Sequence, residues 1–284
     1  MVTMDTTAEE ELHYSIWNPA GNITALVESN VLITDQPTAA AKIMSCHPEV
    51  EQVGFVRFYP EQSDTQAELR MAGGEFCGNA SMCAAALFVQ RHFSFDKQTP
   101  IHVKLRVSGS SEVIPVQIEP KTLSCANALI RIPEAVSIRK RTFFVDGIQY
   151  LLPVVRMEGI SHIVISQQSE LFRMLEDRCM AEEAVKRWCT ELAADCLGLM
   201  FLKNMESVCE LTPLVYVPAC ETTFWENSCA SGTASVGMFL SDEKKSGISL
   251  DIREPGGCIR VFSDRKESKT YLSEKVYFLG SYPE

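Results

Sequence analysis

The sequence has no excess of positive charge, no paired metal-ligand motif and no long apolar run, and each absence removes a class of function. With 26 Lys and Arg against 37 Asp and Glu, the 284-residue chain carries a formal net charge of -11. A surface of that sign repels phosphate backbones and anionic lipids, so neither nucleic-acid nor membrane binding is expected. The densest basic runs, Arg139-Lys140-Arg141 and Lys244-Lys245, are short and read as solvated turns. No window of 18 apolar residues occurs and the N-terminus is acidic, so neither a membrane span nor a secretory signal is indicated and a cytoplasmic protein is expected. No Cys-x-x-Cys pair is present and the five histidines, His13, His47, His92, His102 and His162, stand apart, so no metal site is expected. Pyridoxal phosphate would need a Schiff-base lysine and a phosphate cup. Ser108-Gly109-Ser110-Ser111 reads instead as a turn between strands, and no cofactor is expected.

What is present is an ordinary globular composition, 46% hydrophobic and 22% charged, at a length that suits two lobes of roughly 140 residues each. The eleven cysteines are odd in number and scattered, which predicts reduced thiols rather than a disulfide framework. Residues 13–35 read as strand, turn, strand, with the turn at Asn18-Pro19-Ala20-Gly21-Asn22 and strands at 23–27 and 31–33. A short helix over 37–44 and strands over 53–59 and 68–71 follow, then a buried helix over 81–90, where Met82, Ala85, Ala86 and Val89 recur at helical spacing. Strands are predicted over 101–107, 114–118 and 128–132. The order then starts again: strands over 143–155 and 162–165, an amphipathic helix over 180–194, strands over 197–201, 208–211 and 214–217, and a small-residue helix over 231–240. Such recurrence predicts an internal duplication, with lobes at 1–135 and 136–284 and a last strand at 276–279 free to pack on either.

The recurrence is clearest where Glu75-Phe76-Cys77-Gly78-Asn79-Ala80 is set against Asn227-Ser228-Cys229-Ala230-Ser231-Gly232. A cysteine where a loop enters a helix meets unpaired backbone N–H groups and the positive end of the dipole, both of which favour thiolate. The N–H groups of Gly78, Asn79, Ala230 and Ser231 could also hold a carboxylate. Two such junctions facing each other could remove a proton from one side of an α-carbon and return one to the other, with no cofactor. A cysteine in an apolar setting is ordinarily a small buried hydrophobe, and that reading is applied to Cys46, Cys83, Cys125, Cys179, Cys189, Cys196, Cys209 and Cys258. Glu75 and Glu226 read either as polar neighbours of the thiols or as helix-start carboxylates. Phe224 and Trp225 read as core more readily than as ring-stacking groups.

These motifs resemble the diaminopimelate epimerase superfamily, and within it the histidine-racemase branch. Glu75-Phe76-Cys77-Gly78-Asn79 is similar to the first Cys-Gly-Asn motif and Cys229-Ala230-Ser231-Gly232-Thr233 to the second. Gly21-Asn22, Gln52, His162 and Glu254-Pro255-Gly256-Gly257 fall near further positions of the pattern. The resemblance implies an α+β fold of two pseudo-symmetric lobes, each a mixed or antiparallel barrel-like sheet around a central helix. It implies Cys77 and Cys229 as the catalytic pair of a cofactor-independent racemase, with Asn22, Gln52, Gly78, Asn79, His162, Glu226, Ala230 and Ser231 around a free amino acid. The sequence leaves room for a homodimer. No arginine stands in 217–226, so the clamp that diaminopimelate epimerases place on a distal amino acid is missing, and a shorter or aromatic side chain, histidine first, fits better. Other readings are diaminopimelate or another amino acid on the same fold, a proline racemase (whose first motif usually carries His where Asn79 stands), the isomerase branch with one acid/base carboxylate, or a silent carboxylate-binding protein.

Overall fold

A computed structural model describes residues 11–62, 64–94, 99–204, 208–264 and 266–283; most of the acidic N-terminal stretch lies outside the described residues. In chain order its elements are β1 (Tyr14–Pro19), β2 (Thr24–Val27), α1 (Gln36–Cys46), β3 (Gln52–Phe58), β4 (Ala67–Met71), α2 (Gly78–His92), β5 (Ile101–Val107), β6 (Val113–Thr122) and β7 (Cys125–Ile132). They continue with β8 (Ser137–Val145), β9 (Ile148–Arg156), β10 (Ser161–Ser166), α3 (Arg178–Leu192), β11 (Leu197–Asn204), β12 (Cys209–Val217), β13 (Thr222–Trp225), α4 (Ala230–Lys244), β14 (Ile248–Glu254), β15 (Gly257–Asp264) and β16 (Lys269–Tyr282).

The chain is a mixed α+β protein. The strand order β1-β2-β3-β4-β5-β6-β7-β16 closes on itself through a β1–β16 pairing, giving an eight-stranded barrel. The sheet runs on from β16 through β15, β14, β12, β11, β10 and β9 to β8. Four neighbouring pairs are parallel: β2/β3, β4/β5, β10/β11 and β12/β14. A parallel pair needs a crossover, and α1, α2, α3 and α4 supply the four in turn. Residues 78–89 of α2 are all buried, as are residues 230–238 of α4. Small residues on every side let strands close around each helix, so hydrophobicity all round marks a central helix. By contrast α1 and α3 bury one face each, α1 with Ala40 and Ile43 and α3 with Ala181, Ala184, Val185 and Trp188. The longest strand, β16, pairs with β15, β7 and β1. Among the described residues no helix is long and apolar enough to cross a membrane.

Several expectations need correction. The stretch 31–33 is not a strand: Leu32 and Ile33 are 69% and 63% exposed, and a 3-10 turn at Ile33–Asp35 runs into α1, whose first turn holds Pro37. Residues 143–155 form a hairpin, because Asp146 and Gly147 both take positive φ and make the two-residue turn that joins β8 to β9. The separate strands at 208–211 and 214–217 are one strand, β12. Arg139, Lys140 and Arg141 lie on the edge strand β8 instead of in a turn, where charge discourages pairing with another chain. Lys244 and Lys245 do end a helix, with Lys245 in the left-handed cap.

Candidate active site

Both motif cysteines are helix N-caps, Cys77 for α2 and Cys229 for α4, each in an extended conformation. The helices meet end to end: a Cβ on Gly78 would stand 2.8 Å from the Ala230 methyl, so the first residues of α2 and α4 are in contact. Asn79 ties the junction by donating from Nδ2 to the Ser228 carbonyl (3.2 Å) and to Ser228 Oγ (3.1 Å). Its Oδ1 is buried with no partner. N–H groups in the first turn of a helix have no partner within it, so Gly78, Asn79, Ala230 and Ser231 converge as donors.

The Cys77 thiol donates to Gln52 Oε1 (3.0 Å), and its Sγ accepts from the Ala80 N–H at 3.4 Å. Gln52 in turn donates to Asn22 Oδ1 and to Thr24 Oγ1, the latter at 2.7 Å. Asn22 donates to Glu51 (3.0 Å). Glu51 also receives the backbone N–H and the side chain of Asn227, which joins β3 to the loop before Cys229. That loop is held further by Ser228 Oγ on the Pro19 carbonyl (3.2 Å) and by Gly256 N–H on the Asn227 carbonyl (2.8 Å). The close approach needs glycine, since a Cβ on Gly21 would fall 2.5 Å from Gly256 Cα.

Cys229 is buried whereas Cys77 is partly accessible. Its Sγ lies 3.6 Å from Ser231 Oγ, and the Glu226 carboxylate is near enough to oppose its ionisation. Glu226 follows β13 and is positioned by its own N–H on the Pro213 carbonyl (3.0 Å). The α4 cap is supplied from elsewhere: Glu254, at the end of β14, accepts both the Cys229 N–H and the Thr233 hydroxyl. Burial is the main influence on every one of these acids. It pushes the Cys77 thiol up to about 12 against the Ala80 N–H, and holds the Cys229 thiol well above its usual range, with Glu226 and Glu254 adding repulsion.

A cavity of about 140 Å³ has Gln52, the partner of Cys77, in its wall together with Glu226, Glu51, Glu75, Val217 and Phe224; the two thiols themselves lie behind that wall. His162 is elsewhere. It is fully buried against α4, with Nε2 3.3 Å from Ser231 Oγ and Nδ1 2.8 Å from Ser235 Oγ. Trp225 also points away, its indole N–H on Glu182 (2.9 Å) and its ring stacked on Phe201. Glu51, Asn227, Ser228 and Glu254 are not among the site residues expected from the sequence, although Asn227 and Ser228 stand in the second cysteine motif and Glu254 in a turn motif. Their partners lie up to 209 residues away, so no local pattern marks them.

The buried acids fix a pH dependence of stability. Burial raises Glu226 and Glu254 from 4.5 to about 8, so between those values the folded chain holds protons that the unfolded chain has released. Their contribution is therefore whole below the unfolded value and is lost as pH climbs through about 8. His162 has the opposite sign: burial lowers it from 6.5 to about 3, and its contribution is present above 6.5 and lost as pH falls toward 3. Tm is expected to fall from about pH 6 to about pH 9, with a shallower slope in Glu254→Gln. A flat or rising Tm over that range contradicts the assignment.

Comparison with known proteins places the chain in a family. Residues 11–277 match the family model described as histidine racemase CntK N-terminal domain. The chain is 28% identical over 259 residues to a histidine racemase of Staphylococcus aureus, covering 89% of each chain. It is 32% identical over 258 residues to one of Fusobacterium nucleatum, covering 88% of this chain and 89% of that one. In fold it resembles a probable proline racemase of Agrobacterium radiobacter at TM-score 0.71 and 9% identity, covering 96% of this chain and 92% of the other. A hydroxyproline epimerase of Agrobacterium vitis gives 0.67, also at 9% identity, with the same coverage. With a family match over nearly its whole length, the chain belongs to the histidine racemase family, a family of amino-acid isomerases.

Proposed function

We propose that this chain interconverts L- and D-histidine without a cofactor, with Cys77 and Cys229 as the two bases. The observation that carries the reading is the pair of cysteine caps at the abutting starts of two helices, next to a cavity whose wall holds Gln52, the partner of Cys77, with Glu51, Glu75 and Glu226 but no lysine or arginine. A ring that donates N–H bonds suits such a wall. The distal carboxylate of diaminopimelate would face like charge there and no cation.

The α-carboxylate takes the convergent N–H groups of Gly78, Asn79, Ala230 and Ser231, while Glu226 and the free Oδ1 of Asn79 are acceptors for the α-ammonium. One cysteine, as thiolate, forms its S–H bond as the Cα–H bond breaks. The electron pair passes into the carboxylate, where two helix N-termini stabilise the growing charge. The opposite thiol then gives its proton to the other face and is left as thiolate. One proton and one negative charge have changed sides, and solvent exchange restores the starting pair. Gln52 and Glu226 aim the thiols, and His162 steadies the first turns of α4 through Ser231 and Ser235. We also read the chain as two pseudo-symmetric lobes from duplication, 1–135 and 136–284. That each half has an enclosed helix opening at a cysteine cap supports this.

Proton NMR of L-histidine in heavy water with reduced enzyme tests the function. The α-proton signal should disappear as D-histidine accumulates on chiral analysis. Exchange in other amino acids but not in histidine overturns the substrate; no exchange in any amino acid overturns the chemistry.

A further inference from the structure

We propose that Glu75 is the recognition group for the substrate's ring, its Oε2 accepting an imidazole N–H at the far wall of the cavity. The inference rests on the histidine reading above and adds to it which residue selects the side chain.

Three carboxylates line the cavity, and two are committed. Glu51 accepts from Asn22 and twice from Asn227, using both oxygens. Glu226 stands near the Cys229 thiol and has no buried oxygen left without a partner. Glu75 differs, since its Oε2 is buried without any hydrogen-bond partner. A buried acceptor left unpaired costs about 1–3 kcal/mol in general, so its retention calls for a ligand that pairs it.

The position of that oxygen is well defined. A Cβ on Gly73 would lie 2.5 Å from Glu75 Oε2, 2.5 Å from Val217 Cγ1 and 3.4 Å from Cys220 Sγ. Gly73, Val217 and Cys220 all line the cavity, so the free oxygen sits in its wall beside an apolar strip on which a flat ring can lie. The cavity volume of about 140 Å³ is close to the ~150 Å³ that holds a benzene, and imidazole is slightly smaller. Arg70 is near enough for its charge to favour the Glu75 carboxylate. Its Nε is itself buried without a partner, so that nitrogen does not serve Glu75. Burial holds the Glu75 carboxyl above its usual range, and a carboxyl so raised can share a proton with an imidazole, whichever of the two carries it.

The ligand class is a five-membered ring with an N–H, attached one carbon from the α-centre. The test is Glu75→Gln, read by kcat/KM for L-histidine and by the affinity, 1/Ki, of 3-(2-thienyl)-L-alanine, a ring of similar shape with no N–H. The ratio of the two should fall roughly 10- to 100-fold relative to the parent enzyme, the size expected for losing one bond to a charged group. An unchanged ratio overturns the proposal, whether both values stay put or both worsen together, since the carboxyl would then serve the fold and not the ring. Failure of the parent enzyme to act on histidine is a different result: it removes the histidine reading and is seen before any variant is made.

Discussion

Cys77→Ala and Cys229→Ala should each racemise histidine at least about 10³-fold more slowly, the loss expected when a positioned acid or base is removed. Each should still exchange the α-proton of one enantiomer with heavy water, and the two variants should choose opposite enantiomers. The reason is geometric. The thiols are caps of two helices that meet end to end, so each faces one side of an α-carbon held between them. A surviving thiolate can remove a proton from its own side and return a deuteron there, but inversion needs the missing partner. The two variants should also differ in pH dependence, because the thiols are unequal. Cys77 Sγ accepts the Ala80 N–H, which favours its thiolate. Cys229 has no such bond, as Glu254 has taken over the capping of α4; two carboxylates oppose the ionisation of each thiol, Glu226 and Glu75 at Cys77 and Glu226 and Glu254 at Cys229, so the N–H bond is what separates them. Exchange through Cys229 should therefore rise with pH over a more alkaline range than exchange through Cys77. Deuterium incorporation followed by NMR for each pure enantiomer decides it. Exchange of the same enantiomer in both variants, or inversion within about tenfold of the parent rate, excludes a two-base mechanism.

The asymmetry between the caps also marks where sequence stops being informative. Small residues after each cysteine give the two central helices, and Asn18-Pro19-Ala20-Gly21-Asn22 gives the first hairpin, because both depend on local sterics and turn chemistry. The cap of α4 depends on something remote. A helix could carry its own capping carboxylate at its third residue, but that residue is Gly232, where a Cβ would strike Met200 Sδ at 2.2 Å. The carboxylate comes instead from Glu254 on β14. The strands β14 and β15 escaped detection for a related reason. Ile248-Ser249-Leu250-Asp251-Ile252-Arg253 does alternate apolar with polar, but the pattern breaks where Glu254 and Ser263 take inward positions and where Thr270 faces inward on β16, all three buried. Burial is compensated by partners that sequence does not show, Ser263 Oγ with Thr270 Oγ1 at 3.0 Å and Thr270 with Glu134 at 2.9 Å. His162 illustrates the converse: a motif resemblance places it at the substrate, and the structure places it behind Ser231.

The turn at 108–111, as expected, joins two strands, and it does more than join them. Ser108 takes the Met71 N–H (2.9 Å) and donates to the Glu75 carbonyl (2.8 Å), so it fixes both ends of the loop that presents Cys77. Gly109 lies flat against that loop: its φ is +68°, and a Cβ there would fall 2.2 Å from Phe76 N and 2.6 Å from Glu75 C. On its other side Gly159 packs so closely that its own Cβ would be 2.6 Å from Gly109 Cα. Gly109→Ala is therefore expected to cost about 1–2 kcal/mol for the left-handed backbone and about 1–3 kcal/mol more for forcing the Phe76 backbone aside. Displacing that backbone moves Cys77 directly, and a shift of about 1 Å in a reacting group can lower the rate by about 10². Gly147 separates the two costs. It has φ +77° with nothing within 4 Å of its Cβ position, so Gly147→Ala should show the backbone cost alone and leave racemisation untouched. Urea unfolding and histidine racemisation of the two variants measure the difference: equal losses in both would mean that the turn does not brace the Cys77 loop, whereas a larger loss at Gly109, with activity falling beyond what the unfolded fraction explains, locates the brace at Phe76.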